Sequence, residues 1–497
     1  MFSLSRSPKV FLAPLLAMTV AGCDSDSEDK TPGALVVPST YTFESRFVQG
    51  QSSVAYDGQI MRHVLIEDLK SYIGSLTSQI DGAMFAPTTP TEVVTAFDYY
   101  FRFDSDVSGA DAVRLTTTPA AAQTTYDAIS KDKDLVSKLA GNDSSTDFVD
   151  FENGGFSGWS DTAIAANGGS VTSPEGLVTA FFATIGKQAT DRVDGIIPEG
   201  TDGKPLPVHV TPTGLDVREL IQKFLVGAIA FHQAADDYLD DAQADKGIRV
   251  SNLAPTDPNV RFTALEHHWD EAFGYFGAAV DYADYTDEEL AAKGGRATHA
   301  KGYADSDSDG AIDLSSEFNF GHSTNLAKRD LGALAGGETD FSKEAVEGFL
   351  RGRAIIHAAA GRELTETEFT DLLVERDRAI NAWEKGIAAT ALHYVNDTLI
   401  EMAKFGTESY SFVTHAKVWS ELKGFALALQ FNPRSPMSRE DFGELHGKIG
   451  DRPVLENAGE AAIAQYKTDL RAARQLLLEV YAFPAANLGG DNGESGW

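Results

Sequence analysis

Residues 58–77 read Gly-Gln-Ile-Met-Arg-His-Val-Leu-Ile-Glu-Asp-Leu-Lys-Ser-Tyr-Ile-Gly-Ser-Leu-Thr, and their apolar positions recur at helical rather than strand spacing. Wound at about 3.6 residues per turn, Ile60, Val64, Leu65, Leu69, Tyr72 and Ile73 fall on one face, which needs another element to cover it. The same period runs from Asp216 to Asp240, with Val217, Leu220, Ile221, Phe224, Leu225, Ala228, His232, Ala235 and Leu239 in register. It predicts a third helix over Phe262 to Tyr282, a long pair between Lys343 and Phe405, and two more over Thr414 to Gln430 and Ala458 to Tyr481, the last stopped by Pro484. No comparable set of alternating strand segments competes, so the chain reads as an all-α helical bundle protein.

Between the helices lie long irregular stretches. Residues 141–173 are dominated by Gly, Asn and Ser; 195–215 carry Pro198, Pro205, Pro207 and Pro212; 283–340 hold the densest acidic pattern. The last residues, 486–497, are glycine-rich and polar and read as a flexible tail. No internal repeat of fixed period is present.

The N-terminus carries Arg6 and Lys9, then an apolar run from Val10 to Gly22 that is shorter than the ~20 residues a spanning helix needs. Val20-Ala-Gly-Cys23 resembles the bacterial lipobox, in which small residues precede a cysteine that takes a diacylglyceryl group and becomes the mature N-terminus. The expected organisation is a signal peptide at 1–22, lipidation at Cys23, a disordered polar tether at 23–38, and a helical domain at 39–485. This reading makes the protein a membrane-anchored lipoprotein of the bacterial cell envelope, on its periplasmic face or at the cell surface.

Cys23 is the only cysteine, so no disulfide can form and stability must come from a core, from bound metal, or from both. The formal charge of −33 makes nucleic acid and anionic lipid surfaces unsuitable partners; contact with the membrane is expected through the lipid alone.

Asp305-Ser-Asp307-Ser-Asp309-Gly310-Ala311-Ile312-Asp313 matches the first nine positions of an EF-hand-type loop. Carboxylates stand at alternate positions, Gly310 makes the sharp turn, Ala311 offers its carbonyl, and Ile312 faces the core. Calcium, a hard cation that takes six to eight oxygens at flexible geometry, is the ion such a loop suits. The twelfth position is Ser316, and the carboxylate follows one residue late at Glu317. Either Glu317 reaches back or the last ligand comes from elsewhere. Only one such loop exists, so a structural calcium that pins a loop is expected rather than a sensor.

In the third helix His268 and Glu271 are three apart, neighbours on one face, with Leu265, Trp269, Phe273, Phe276 and Val280 as the core stripe. An imidazole and a carboxylate so placed can share iron or another transition metal, with further ligands from other helices. His63 with Glu67, His232 with Asp236 and His393 with Asp397 are alternatives by spacing.

The run His268-Trp-Asp-Glu271-Ala-Phe-Gly-Tyr-Phe-Gly277 resembles the imelysin signature, a glycine-x-His-x-x-Glu motif followed by an aromatic run ending in glycine, with Glu266 in place of the leading glycine. From Tyr41 and Gln59-Ile-Met-Arg-His63 to the loop ending at Glu317, the chain is similar to an imelysin-like family of secreted lipoproteins, domain-of-unknown-function family 4856. That resemblance implies a double helical bundle, His268 and Glu271 as metal ligands, and a role around iron acquisition, with envelope iron-uptake components as partners. Two other classes stay open: a metal-dependent hydrolase such as a peptidase, although no His-Glu-x-x-His helix is present, and a surface protein capturing glycans or nutrients with Trp159 as its platform.

Overall fold

The structure, a computed structural model, describes residues 35–143 and 147–497; the expected signal peptide, Cys23 and the tether up to residue 34 lie outside the described residues. Among them are eleven helices of nine residues or more and no strand, only isolated bridges, so the fold is all-α. They are α1 (Asp57–Asp81), α2 (Pro90–Phe101), α3 (Pro174–Val193), α4 (Val217–Leu225), α5 (Ala264–Phe276), α6 (Gly321–Leu331), α7 (Phe341–Ala359), α8 (Glu366–Ala403), α9 (Phe412–Ala428), α10 (Arg439–Ile449) and α11 (Glu460–Val480). No helix among the described residues is long and apolar enough to cross a membrane.

The longest helix, α8, is the axis. It starts at a capping box in which Thr365 and Glu368 satisfy each other's backbone N–H groups, and α6, α7, α9 and α11 all pack on it. Trp383, fully buried in α8, lies against Phe349 of α7, Phe276 of α5 and Phe231, the last two at ring separations of 5.1 and 5.3 Å. Residues 37–497 belong to one compact unit whose main apolar core runs through these contacts.

Two expectations need correction. Residues 283–340 are not wholly irregular, since α6 lies within them; its mostly polar sequence hides a narrow buried face of His322, Leu326 and Ala327. The tail 486–497 is docked rather than frayed. Trp497 is buried, its indole N–H donates to the Arg329 carbonyl at 3.0 Å, and Asn396 of α8 donates to the carbonyls of Leu488 and Trp497. Burial of the tryptophan and these hydrogen bonds together oppose the entropy of ordering a glycine-rich segment.

The stretch expected as a single helix over 216–240 changes character midway. Beyond α4 it continues as two π-helical segments, Val226–Phe231 and Gln233–Tyr238, with His232 between them. At Gly227 the backbone approaches α9 so closely that a Cβ would lie 2.5 Å from that of Ala428. Widened π turns of this kind recur at functional sites.

Candidate metal centre

The acidic loop closes on itself through the residue that looked one place late. Glu317, 3% exposed, reaches back: Oε1 accepts the N–H groups of Ser306 (2.6 Å) and Asp307 (3.2 Å), and Oε2 accepts that of Asp313 (2.8 Å). This brings carboxylate oxygens of Asp305, Asp307 and Glu317 within 4.8 Å of one another. Asp309 is engaged elsewhere, accepting the Ala311 N–H, and Asp313 accepts from Gln123 and Ser315. Ile312 is fully buried and bonded to residues 120 and 122, which anchors the loop to a distant segment. Gly310, at φ +91°, makes the turn that a side chain would strain. Backbone N–H groups offset part of the mutual repulsion of these three carboxylates, and a hard oxygen-seeking ion would match the donor set.

The motif helix α5 is placed differently from what its spacing suggested. His268 Nδ1 donates to the Gly247 carbonyl at 2.8 Å, which fixes its tautomer, and burial, against the pull of Glu271, lowers its pKa. Glu271 accepts from the Gln59 amide at 2.8 Å, and the imidazole that faces it is His267, at 3.7 Å across one turn. Beside Glu271, burial, opposed by the Lys138 ammonium and reinforced by Asp143 and Glu271, pushes the Asp237 carboxyl up to about 6. The Tyr275 hydroxyl is buried there without a hydrogen-bond partner. The neighbourhood is polar, but His268 and Glu271 join no group of three or more metal-ligating side chains among the described residues. Glu266, where the imelysin motif has glycine, closes the capping box of α5 with Thr263 and accepts from Arg353.

The alternative histidines separate clearly. His63 Nε2 meets the Tyr275 carbonyl at 3.0 Å, while Glu67 accepts from Gln222. His393 Nε2 is 3.4 Å from Asp397 alone. His232 faces Asp236 at 3.3 Å and, in addition, Asp147 at 3.1 Å, a residue 85 positions away that sequence spacing could not connect to it. Burial depresses the His232 pKa, but the two facing carboxylates outweigh it and hold it up to about 9. Trp159 is buried, packed edge-on against Phe181 with the Lys423 ammonium over its ring, so it offers no exposed platform for a glycan.

Comparison with curated proteins and with solved structures returns no match. A family model described as domain of unknown function, DUF4856, matches residues 38–292, just over half of the chain, a span that includes α1 to α5 and the His232 segment and stops short of the acidic loop. The chain therefore belongs to the DUF4856 family.

Proposed function

We propose that this protein is a lipid-anchored, metal-binding protein of the bacterial cell envelope that takes part in iron acquisition or binds a component of it, with calcium pinning its long acidic loop. The observation that carries the metal-binding reading is the return of Glu317 to Asp305 and Asp307, which supplies the carboxylate missing from the twelfth position. The link to iron rests on the likeness of residues 268–277 to the imelysin signature, and the anchor on Val20-Ala-Gly-Cys23.

Calcium bound only to the folded state should stabilise it by RT ln(1 + [L]/Kd), about 2.7 kcal/mol at one hundred times Kd. Calcium added back after chelation is therefore expected to raise Tm, and Asp307→Asn, at an exposed loop position, to lose most of that rise. Identical melting curves with and without chelator would remove the calcium. For the anchor, Cys23→Ser is expected to leave an unacylated precursor in the native host. Mass spectrometry showing an unmodified mature N-terminus in the parent would contradict lipidation.

A further inference from the structure

The cluster around His232 has chemistry that neither the acidic loop nor the motif helix supplies. The His232 side chain is fully buried, and those of Asp147 and Asp236 are each 2% exposed. One ligand atom from each lies within 4.8 Å of the other two. Yet neither nitrogen of His232 makes an aligned hydrogen bond, and Asp147 Oδ1 makes none either. His232 Nε2 stands 3.1 Å from Asp147 Oδ1 and 3.3 Å from Asp236 Oδ2, so the three ligand atoms converge on one point as an ion-paired group without well-aligned hydrogen bonds.

Charge arithmetic makes the convergence informative. Two buried carboxylates with a protonated imidazole retain a net negative charge in a region walled by Phe151 and Phe431, whose rings stand 5.5 and 5.7 Å from His232. A divalent cation on two carboxylates and a neutral imidazole leaves none. Asp147 is held from behind, as a ligand is, its Oδ2 accepting the Gly141 N–H at 2.9 Å, and the Asp236 Oδ2 that faces His232 also accepts the Phe148 N–H at 3.0 Å. His232 stands where the two π-helical segments meet, and the Ala140 N–H donates to the Ala228 carbonyl of the first of them at 2.9 Å.

We propose that Asp147, His232 and Asp236 form a buried site for a divalent first-row transition ion of the iron(II) or zinc class, distinct from the acidic calcium-type loop. One imidazole and two carboxylates suit such an ion and suit calcium poorly, since imidazole is not among calcium's oxygen ligands. The site deepens the metal-binding reading by naming a second centre, and its test is independent of the loop.

The experiment adds cobalt(II), a visible stand-in for iron(II) and zinc(II), to the mature chain in saturating calcium, which keeps the loop filled. Saturable binding with d–d absorption is expected, displaced by zinc. Asp147→Asn and His232→Gln are expected to weaken it by at least roughly tenfold while helical circular dichroism and the calcium-dependent rise in Tm persist. Should the buried variants fail to fold, X-ray absorption on the cobalt-loaded parent decides, imidazole scattering being the expected result. A parent that takes up no cobalt, zinc or iron(II) under these conditions overturns the site, as do folded variants that bind like the parent or a metal shell lacking imidazole. Loss of the calcium response with cobalt binding intact would remove the loop reading and leave this one standing.

Discussion

Arg353→Ala is expected to destabilise the protein by about 3–5 kcal/mol, the cost of leaving buried charge without its partner. Arg353 lies fully buried in α7 and donates to Glu266 at 2.9 Å, to Asp270 at 2.7 Å and to the Ser53 hydroxyl at 2.8 Å. Its guanidinium also lies 4.8 Å from the centre of the Phe43 ring, and the Tyr41 hydroxyl donates to the same Asp270. One planar fork thus joins three segments: the non-helical stretch at 41–53, the motif helix α5, and α7. Removing it strands two carboxylates with no solvent to receive them. Lysine cannot replace it, because a single ammonium cannot address both carboxylates and the hydroxyl at once, so Arg353→Lys should recover only part of the loss. Replacing all three ionic groups together by apolar residues of similar volume should cost far less than Arg353→Ala, because the desolvation penalty disappears with the charges. Urea unfolding of the three variants checks this; a loss under about 1 kcal/mol for Arg353→Ala would show the charges to be solvated.

Trp383→Ala is expected to cost at least as much, about 3–5 kcal/mol for the cavity with a further ~1–3 kcal/mol for an orphaned buried acceptor. The indole N–H of Trp383 donates to His322 Nδ1 at 2.9 Å, and its ring fills the space between Phe231, Phe276 and Phe349. Burial, with His63 and Lys223 adding to it, holds His322 neutral, down to about 3, so the imidazole can accept that bond. Trp383→Phe separates the two contributions: it keeps most of the volume and loses the donor. Its loss should therefore fall well below that of Trp383→Ala, and equal losses in urea unfolding would mean that packing contributes nothing. Phe276 closes α5 and Phe231 directly precedes His232, so a collapse here would also loosen the motif helix and the segment that carries His232.

The helices built on a clean apolar stripe were legible from the chain alone. Ile60, Val64, Leu65, Leu69 and Ile73 are all buried in α1, and the pair expected between 343 and 405 is α7 and α8. The third helix stops early, at Phe276 rather than Tyr282, because Gly277 takes a left-handed cap at φ +79°. Two helices absent from the periodicity reading had local signals: α2 and α3 both begin at a proline in the first turn, and Ser173 caps α3. α6 and α10 had weaker ones, since their buried faces are short and interrupted by polar residues.

The two candidate metal clusters were legible only where their residues are neighbours in sequence. The acidic loop could be read to within one residue, and the return of Glu317 is a matter of backbone path rather than of spacing. His232 with Asp236 was one helical pair among several, and nothing local marks it out. What distinguishes it is Asp147, brought in from a loop by tertiary folding, together with π turns that no 3.6-residue period reveals. The His268 and Glu271 pairing failed to form for a related reason. Residues three apart on a helix are near one another, but His268 found a backbone carbonyl and Glu271 found Gln59 on α1.

Elemental analysis of the protein purified from its native host without chelator tests the metal-binding account most directly. Stoichiometric calcium is expected, falling in Asp307→Asn, together with a first-row transition ion that falls in Asp147→Asn. Protein that is folded, monodisperse and free of both calcium and transition metal above trace would contradict it.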